Sequence, residues 1–475
     1  MPAAPRSAAA LLLVSLCCFA ALATAQISTP RLVAAHPDAA LDSQLVDRFV
    51  ATTSQHVHRA LAAEAINRGA ALGLIARGTE DLSKIGLGVV TFKATAANAQ
   101  AFQRANAALF TSVEAEQRFS IAARPSASAR ASPPPPRASP PPYPPSVLLS
   151  DTCSTATDLW GLDVLCVPGL RMLSQARPDM RFLCRDAPSG FVRDNSYSWA
   201  PCTNGSAAHV FVIDTGIYAE HVEFGTRVSA TATCMLGSSC FAGTPSWGDD
   251  YGHGTHCSGT AGGMNTGVHK SVVLHAVKVL SSSGSGSTSG VAAGVNWVAQ
   301  TVANDPTLRP AVVTMSLGGP ASTVLDNAIS ALVAGGIPAV VAAGNDGLDA
   351  CRYSPARVPT AITVAAVDAS GTPASWSNSG TCVDVYAPGV GIYSALNSAG
   401  AYATWSGTSM ATPHVTGIVA LMLAAAPCLT PAQISDIIAS TATPTVVGAP
   451  RLTTNRFVNS KAAVAAAAGI SCAQG

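Results

Sequence analysis

The chain has 475 residues, of which 48% are hydrophobic and only 11% are charged, and it contains 40 glycines and 32 prolines. This length predicts two or three folded units, and the composition is typical of a loop-rich globular protein rather than a disordered one. The formal net charge is +1. Because no basic field or Lys/Arg run is present, we expect no nucleic-acid partner and no binding to an anionic membrane surface.

Residues 1–25 have the pattern of a secretory signal peptide. Arg6 supplies positive charge, residues 8–21 form an apolar run, and Ala23-Thr24-Ala25 is a small-residue cleavage site. A membrane anchor is the alternative, but the run is shorter than the ~20 residues that a span needs.

Cys17 and Cys18 leave with this peptide, so eleven of the 13 cysteines remain. That number of cysteines fits an oxidising, extracellular location. The sequence contains no CxxC pair, so it predicts no zinc site.

Two segments precede the main body of the chain. Within residues 26–122, the apolar spacing predicts a helix over 43–68, a strand over 86–92 and a second helix over 96–108, which together indicate a small α+β unit. Residues 123–150 are a Pro-rich linker, since runs such as 133–136 and 140–142 cannot form a helix or a central strand. The remaining residues, 151–475, form the main domain.

The main domain alternates β-branched runs with helical stretches. The predicted strands are residues 210–213, 272–279, 311–316, 339–342 and 362–367. Strands that alternate with helices form a parallel sheet covered on both faces, and functional groups lie at the carboxyl ends of such strands. We therefore expect the chemistry of this domain at that edge of the sheet.

Two motifs at this edge carry an acid and a base. Asp214 ends the first strand and precedes Thr215-Gly216, so its carboxylate is held rigidly; a simple turn aspartate is the alternative. In Gly252-His253-Gly254-Thr255-His256, the glycines allow a histidine to begin a helix close to other backbone. Two histidines three residues apart also suggest metal ligands, but HExxH spacing and an obvious third ligand are absent from the sequence.

Ser409 lies in the segment Gly407-Thr408-Ser409-Met410-Ala411-Thr412-Pro413, which leads into an apolar helix over residues 415–425. At a helix N-terminus, unpaired backbone N–H groups stabilise developing negative charge. A serine nucleophile also needs an imidazole base and a carboxylate that orients it, and the chain supplies a candidate for each. The alternative for Ser409 is an ordinary N-cap.

These three motifs, in the order Asp, His, Ser, resemble the signatures of the subtilases, and most closely those of the proteinase K and aqualysin branch. Further likeness is found in Trp160-Gly161-Leu162-Asp163, Ser354-Pro355-Ala356 and Asn455-Arg456-Phe457. The resemblance implies a subtilisin-like three-layer αβα fold with a parallel sheet, preceded by a small α+β propeptide domain. It also implies a secreted, monomeric serine endopeptidase that needs no cofactor for catalysis.

The resemblance assigns roles to individual residues. Asp214, His253 and Ser409 form the triad, and Asn345 completes an oxyanion hole. Extended substrate is expected to bind between two cleft segments and to meet an uncharged first pocket that prefers apolar residues; these segments and walls are Gly284, Ser285, Gly286, Ser316, Leu317, Gly318, Ala342, Ala343 and Gly344. Asp249 and Asp250, which lie just before His253, would add a preference for basic residues nearby.

The remaining implications concern stability and maturation. A disulfide between Cys351 and Cys382, a buried free thiol at Cys257, and a calcium site made by Asp384 with the carbonyls of Pro359 and Ala361 are implied by the resemblance. Pairing of the other cysteines stays open. Residues 26–122 would assist folding, occupy the cleft and be removed by self-cleavage.

Two other functions are weighed against the endopeptidase. A secreted structural or wall-binding protein on an inactive subtilase fold predicts loss of a triad residue, and none is lost from the sequence. An esterase predicts a G-x-S-x-G elbow, whereas Gly407-Thr408-Ser409-Met410-Ala411 ends in alanine.

Overall fold

A computed structural model describes residues 47–53, 75–79, 89–94, 96–107, 110–121, 124–125, 153–156, 196–199, 208–234, 240–242 and 248–472. The predicted signal peptide and most of the predicted linker lie outside the described residues.

The strands, in chain order, are β1 Asp47–Thr53, β2 Ile75–Thr79, β3 Val89–Ala94, β4 Phe110–Ala115, β5 Arg118–Ile121, β6 Arg124–Pro125, β7 Cys153–Ala156, β8 Ser196–Trp199, β9 His209–Asp214, β10 Val228–Thr233, β11 Phe241–Ala242, β12 Val273–Lys278, β13 Ser285–Ser287, β14 Ala311–Met315, β15 Leu317–Pro320, β16 Ala339–Ala342, β17 Tyr353–Ser354, β18 Ile362–Val367, β19 Val385–Pro388, β20 Ile392–Ala395 and β21 Tyr402–Ser406.

The α-helices of the described residues are α1 Ala96–Ala105, α2 His253–Gly262, α3 Thr288–Asn304, α4 Thr323–Ala334, α5 Thr408–Ala425, α6 Pro431–Thr441 and α7 Ser460–Ala468.

Among the described residues, the main sheet has eight strands in the order β11-β10-β12-β9-β14-β16-β18-β19. Every neighbouring pair from β10 to β19 is parallel, and β11 alone is antiparallel to its neighbour. The five predicted strands correspond to β9, β12, β14, β16 and β18. Because parallel strands need crossover connections, helices are required between them, and they cover the sheet.

Alternate side chains of β9 point to opposite faces of this sheet and enter two different cores. Val210 and Val212 pack with residues of α5, α6 and α7, whereas Phe211 and Ile213 pack with residues of α3 and α4. Both faces of the sheet are therefore buried under helices. This arrangement confirms the predicted three-layer α/β fold.

Helix α5 is the buried helix of the first core. Thr408–Ala425 is, among the described residues, one helix long and apolar enough to cross a membrane, but 89% of that window is buried within the fold. Burial on all sides explains why it is apolar all round rather than amphipathic. Its first turn lies below the carboxyl edge of the sheet, where the predicted nucleophile is placed.

The described residues between 47 and 121 are called here the N-terminal unit. Its sheet has the order β2-β3-β1-β4, with β1 antiparallel to both β3 and β4. The predicted helix over residues 43–68 is wrong in part, because Asp47–Thr53 is the strand β1. Val50, Thr52 and Thr53 are β-branched, and pairing on both edges outweighs the local helical spacing.

Candidate active site

Asp214 is the last residue of β9, in the middle of the main sheet, and it is 1% exposed. Its Oδ1 accepts a hydrogen bond from the backbone N–H of Thr215 at 2.7 Å, and Nδ1 of His253 lies 2.7 Å from the same oxygen. A buried carboxylate held by its own backbone is rigid, so it fixes the direction of the imidazole.

His253 begins α2, and two glycines make this placement possible. The N-cap Gly252 has φ of 104°, a conformation that L side chains rarely adopt. A Cβ on Gly254 would lie 2.1 Å from the carbonyl oxygen of Gly216, so only glycine allows this approach of α2 to the end of β9. The glycines thus bring the imidazole within hydrogen-bond distance of Asp214.

Burial opposes a charge on His253, but the Asp214 carboxylate and the neighbouring Cys257 together outweigh it and hold the pKa of the imidazole well above its usual range. Its Nε2 is buried and has no hydrogen-bond partner among the described residues. The nitrogen that would act as a base is therefore available to a substrate or nucleophile proton.

Ser409 lies in the first turn of α5, and its side chain is fully buried. Its Oγ donates to the carbonyl oxygen of Ser316 at 3.0 Å, so in this state it is not engaged with His253. The N-cap of the helix is Gly407, which excludes the ordinary capping role for Ser409. The serine therefore lies at a helix N-terminus with its hydroxyl directed to the cleft segment that contains Ser316.

Cys257 lies close to both His253 and the backbone of Ser409. Its Sγ lies 3.9 Å from Nδ1 of His253 and 3.4 Å from the carbonyl oxygen of Ser409. The thiol is free and fully buried, and burial raises its pKa. Asp214, His253 and Cys257 place three ligand-type atoms within 4.8 Å of one another. A nitrogen and a sulfur donor this close suit soft metals.

The second histidine of the motif has a different environment. His256 contacts the carbonyl oxygen of Ala403 through Nε2 at 3.1 Å and stacks on Trp405 with ring centroids 4.9 Å apart. Burial lowers its pKa to about 3, so the ring is neutral. It links α2 to β21, and the two histidines do not form a shared ligand pair.

Asn345 is linked to the first turn of α5 through the residue that precedes the predicted nucleophile. Its Oδ1 accepts hydrogen bonds from both the backbone N–H and the hydroxyl of Thr408, each at 2.9 Å. Because both donors of Thr408 face Oδ1, the amide nitrogen of Asn345 is directed away from Thr408. Thr408, the residue before Ser409, thus holds Asn345 close to the predicted nucleophile.

The predicted cleft is occupied by the N-terminal unit. Strand β5 pairs antiparallel with β13 on one side and with β15 on the other. Ser120 lies opposite both Ser285 and Gly318, and the N–H of Ile121 donates to the carbonyl oxygen of Gly284 at 3.1 Å. The two cleft segments predicted from the sequence therefore hold an extended strand of the same chain.

Strand β6 contacts the strand that precedes Ser409. In β6, Arg124 lies opposite Ser406 and Pro125 opposite Trp405, both on β21. Strand β21 leads directly through Gly407 into α5 and its Ser409. Strand β5 therefore pairs with the segment that begins at Leu317, and β6 pairs with the strand that leads to Ser409.

Two acidic side chains of the N-terminal unit contact helix N-termini of the main domain. Glu114 accepts from the backbone N–H of Thr323 at 2.9 Å and from the hydroxyl of Ser322, at the start of α4. Glu116 accepts from the backbone N–H of Ser289 at 3.1 Å, in the first turn of α3. Carboxylates are stabilised at helix N-termini. Neither contact is predicted by a local pattern in the sequence, because each partner lies more than 170 residues away.

The pair that precedes the histidine motif is not arranged for substrate. Asp249 is 5% exposed and its carboxylate is hydrogen-bonded within the protein, while Asp250 lies 2.6 Å from Nζ of Lys278. The expected preference for basic residues is therefore not supported, because one carboxylate is enclosed and the other is already paired.

The predicted calcium ligand Asp384 is beside β18, where its Oδ2 accepts from the N–H of Thr363 at 2.7 Å. Burial raises its pKa to about 6. Such an enclosed carboxylate, hydrogen-bonded to a residue that closely follows Pro359 and Ala361 in sequence, is a suitable ligand for a hard cation. Cys351 and Cys382 form a disulfide. The pairs Cys234–Cys240 and Cys428–Cys472, which sequence left open, are also disulfides.

Comparison with known proteins agrees with this geometry. The subtilase family model matches residues 205–465. An extracellular serine proteinase of Thermus sp. (strain Rt41A) is 48% identical over 257 residues, which are 54% of this chain and 59% of that protein. A cuticle-degrading serine protease of Arthrobotrys oligospora is 46% identical over 249 residues, covering 52% of this chain and 59% of that protein.

Each of these two alignments spans 59% of the relative's own length. A solved structure, a cold adapted subtilisin-like serine proteinase, is 40% identical with a TM-score of 0.52, and the match covers 64% of this chain and 99% of that one. The family match extends over more than half of the chain and contains the aspartate, histidine and serine described above. The chain therefore belongs to the subtilase family.

Proposed function

We propose that this chain is the precursor of a secreted serine endopeptidase whose cleft is occupied by its own propeptide. The observation that carries the proposal is strand β5, which lies between β13 and β15. A cleft that binds an extended peptide on both edges, beside an Asp–His pair and a serine at a helix N-terminus, is suited to peptide-bond hydrolysis. The esterase alternative gives no account of this strand, and the inactive alternative gives no account of the retained aspartate, histidine and serine.

In the proposed mechanism, Ser409 leaves the carbonyl of Ser316 and turns to Nε2 of His253, which removes its proton as Oγ attacks the peptide carbonyl carbon. Asp214 stabilises the imidazolium that forms. The backbone N–H of Ser409 and the side-chain amide of Asn345 hold the oxyanion. His253 then protonates the amine that leaves, an acyl-enzyme remains, and water releases it by the reverse sequence of proton transfers.

Strand β5 also indicates the substrates. Phe119 is fully buried among apolar residues of the second core, whereas Arg118 and Ser120 on the opposite side of the strand are exposed. We infer broad specificity in which a large apolar residue at the Phe119 position contributes most. The uncharged walls made by Leu317 and Ala343 favour an apolar residue next to the cleaved bond.

The same register points to the bond that is cleaved during maturation. Paired residues on the two sides end at Ile121 and resume at Arg124. The two residues between them are Ala122 and Ala123, so we propose self-cleavage of the bond that joins them. This position coincides with the boundary between the predicted propeptide, 26–122, and the linker. The contacts of Glu114 and Glu116 would keep the propeptide bound after the cut.

Secretion is proposed from the signal-peptide pattern of residues 1–25, and relatives named as extracellular proteinases support it. Structural calcium at Asp384, a monomeric state and protein substrates belong to the same proposal. No cofactor is needed for the steps above, since the protein side chains supply the nucleophile, the base and the oxyanion donors.

The test compares wild type with Ser409→Ala in a secretory host. Wild type should hydrolyse casein, and its mature form should begin at Ala123. The variant should accumulate as a precursor that retains residues 26–122, because without the nucleophile only residual catalysis remains. Cleavage of the variant at the wild-type position and rate would show that another protease matures the enzyme. A wild-type enzyme inactive on casein would contradict the endopeptidase itself.

A further inference from the structure

The carboxylate of Asp249 has an unusual environment for an acidic side chain. It is 5% exposed, and five donors of the protein surround it. Oδ1 accepts from the hydroxyl of Thr215 at 2.8 Å and from the N–H groups of Tyr251 at 3.0 Å and Gly252 at 2.7 Å. Oδ2 accepts from the N–H and the hydroxyl of Thr255, at 2.8 and 2.7 Å. Five neutral donors therefore replace the water that a carboxylate otherwise requires.

Two of the donor residues lie in or next to the elements that carry the catalytic pair. Thr255 is in the first turn of α2, two residues after His253, and Thr215 follows Asp214 at the end of β9. The hydroxyl of Thr215 also accepts from the N–H of Gly254 at 2.9 Å. Asp249 thus connects, through one carboxylate, the helix that holds the base to the strand end that holds its partner.

The connection replaces an ordinary helix cap. The N-cap of α2 is Gly252, which has no side chain that could cap the helix, and its φ is 104°. Asp249 satisfies the N–H groups of Gly252 and Thr255, two of the donors that a helix N-terminus leaves unpaired. Its negative charge also lies at the positive end of α2. The glycines that permit the close approach of α2 to Gly216 therefore depend on Asp249 for rigidity.

We infer that Asp249 is a positioning residue that sets the distance and direction of His253 relative to Asp214. The inference rests on the proposed endopeptidase function and deepens it. Among the described residues, the carboxylate of Asp249 forms no hydrogen bond to Asp214, His253 or Ser409. It acts through Thr215 and the first turn of α2.

The neighbouring Asp250 provides a matched control. Its side chain is half-exposed and lies 2.6 Å from Nζ of Lys278, whose other hydrogen bonds go to the carbonyls of Thr215 and Leu280. Asp250→Asn removes the same charge one residue away and leaves the five-donor arrangement intact. Asp249→Asn keeps the size of the side chain but turns an amide N–H₂ toward N–H or hydroxyl donors.

The experiment measures kcat and KM for a small chromogenic peptide between pH 5 and 10, with active sites counted by sulfonyl fluoride titration. Asp249→Asn should lower kcat about 10- to 100-fold and leave KM within about twofold, because misplacement of a catalytic group affects the transition state most. The acid limb of the kcat profile should move to lower pH. The titratable groups around His253 are Asp214 on β9 and Cys257 and His256 on α2, and a weaker contact with Asp214 lowers the affinity of His253 for a proton.

A second variant covers the case in which Asp249→Asn does not yield folded enzyme. Thr215→Val is similar in shape and removes the link between Asp249 and the strand end together with the acceptor of the Gly254 N–H, so it should shift kcat and the acid limb in the same direction. Thr215→Ser should restore both. The inference is overturned if either Asp249→Asn or Thr215→Val keeps the profile of Asp250→Asn while only the melting temperature falls. Inactivity of the wild type would instead contradict the proposed function.

Discussion

The burial of Phe119 allows a quantitative prediction about the propeptide. Its side chain is fully buried in the second core, next to residues of the cleft. A Cβ on Gly319 would lie 2.8 Å from its ring, so the ring fills the space that this glycine leaves. Removing a buried phenylalanine side chain costs about 3 kcal/mol or more. At about 1.4 kcal/mol per factor of ten, Phe119→Ala should weaken propeptide binding about 150-fold.

The assay adds residues 26–122 in trans to the mature enzyme and measures the inhibition constant against a chromogenic peptide. The ratio between the variant and the wild type matters here, since the cost of folding the propeptide enters both. Ser120→Ala is the matched control: Ser120 is the next residue on β5, and its exposed side chain is directed away from the cleft floor. It should change the constant by less than about twofold.

Equal inhibition by Phe119→Ala and wild type would show that the apolar pocket does not hold the strand. The proposed preference for a large apolar residue at this substrate position would then fail as well. A large loss with both variants would instead indicate that backbone geometry, rather than the phenylalanine side chain, dominates binding.

Four further predictions concern the site and its surroundings. Asn345→Ala should lower kcat about 100-fold with little change in KM, and an unchanged kcat would remove it from the oxyanion hole. Because Asp214 raises the pKa of His253 and the base must be neutral, the acid limb of kcat/KM should lie above pH 6.5; a limb well below that value would contradict the cited direction. Without a cation, ionisation of Asp384 opposes folding as pH rises toward its pKa of about 6, so excess chelator should lower the melting temperature more at pH 8 than at pH 5. Equal or absent shifts would argue against a cation there. Mercurials should inhibit wild type but not Cys257→Ser, and persistent sensitivity would implicate another thiol.

The sequence by itself predicted the central sheet and indicated the candidate catalytic residues. Asp214, His253 and Ser409 each lie in a motif whose glycines or helix start are readable locally, and β-branched runs such as 311–316 predict buried parallel strands without knowledge of their neighbours. These signals are local: a strand end, a tight glycine approach and a helix N-terminus each follow from a few adjacent residues.

The tertiary structure decided what depends on distant partners. Asp47–Thr53 became a strand because two other strands pair with it, and Asp249 became an enclosed connector because Thr215, 34 residues earlier in the chain, donates to it. The pairing of Cys428 with Cys472 spans 44 residues. Above all, β5 pairs with a cleft edge formed by Ser285–Ser287, which lies more than 160 residues later in the chain. The hydrogen bond from Arg118 to Ser285, for example, joins residues 167 positions apart. No local pattern encodes which edge a strand will join, because backbone hydrogen bonds are alike for every residue and only the folded surroundings select the partner.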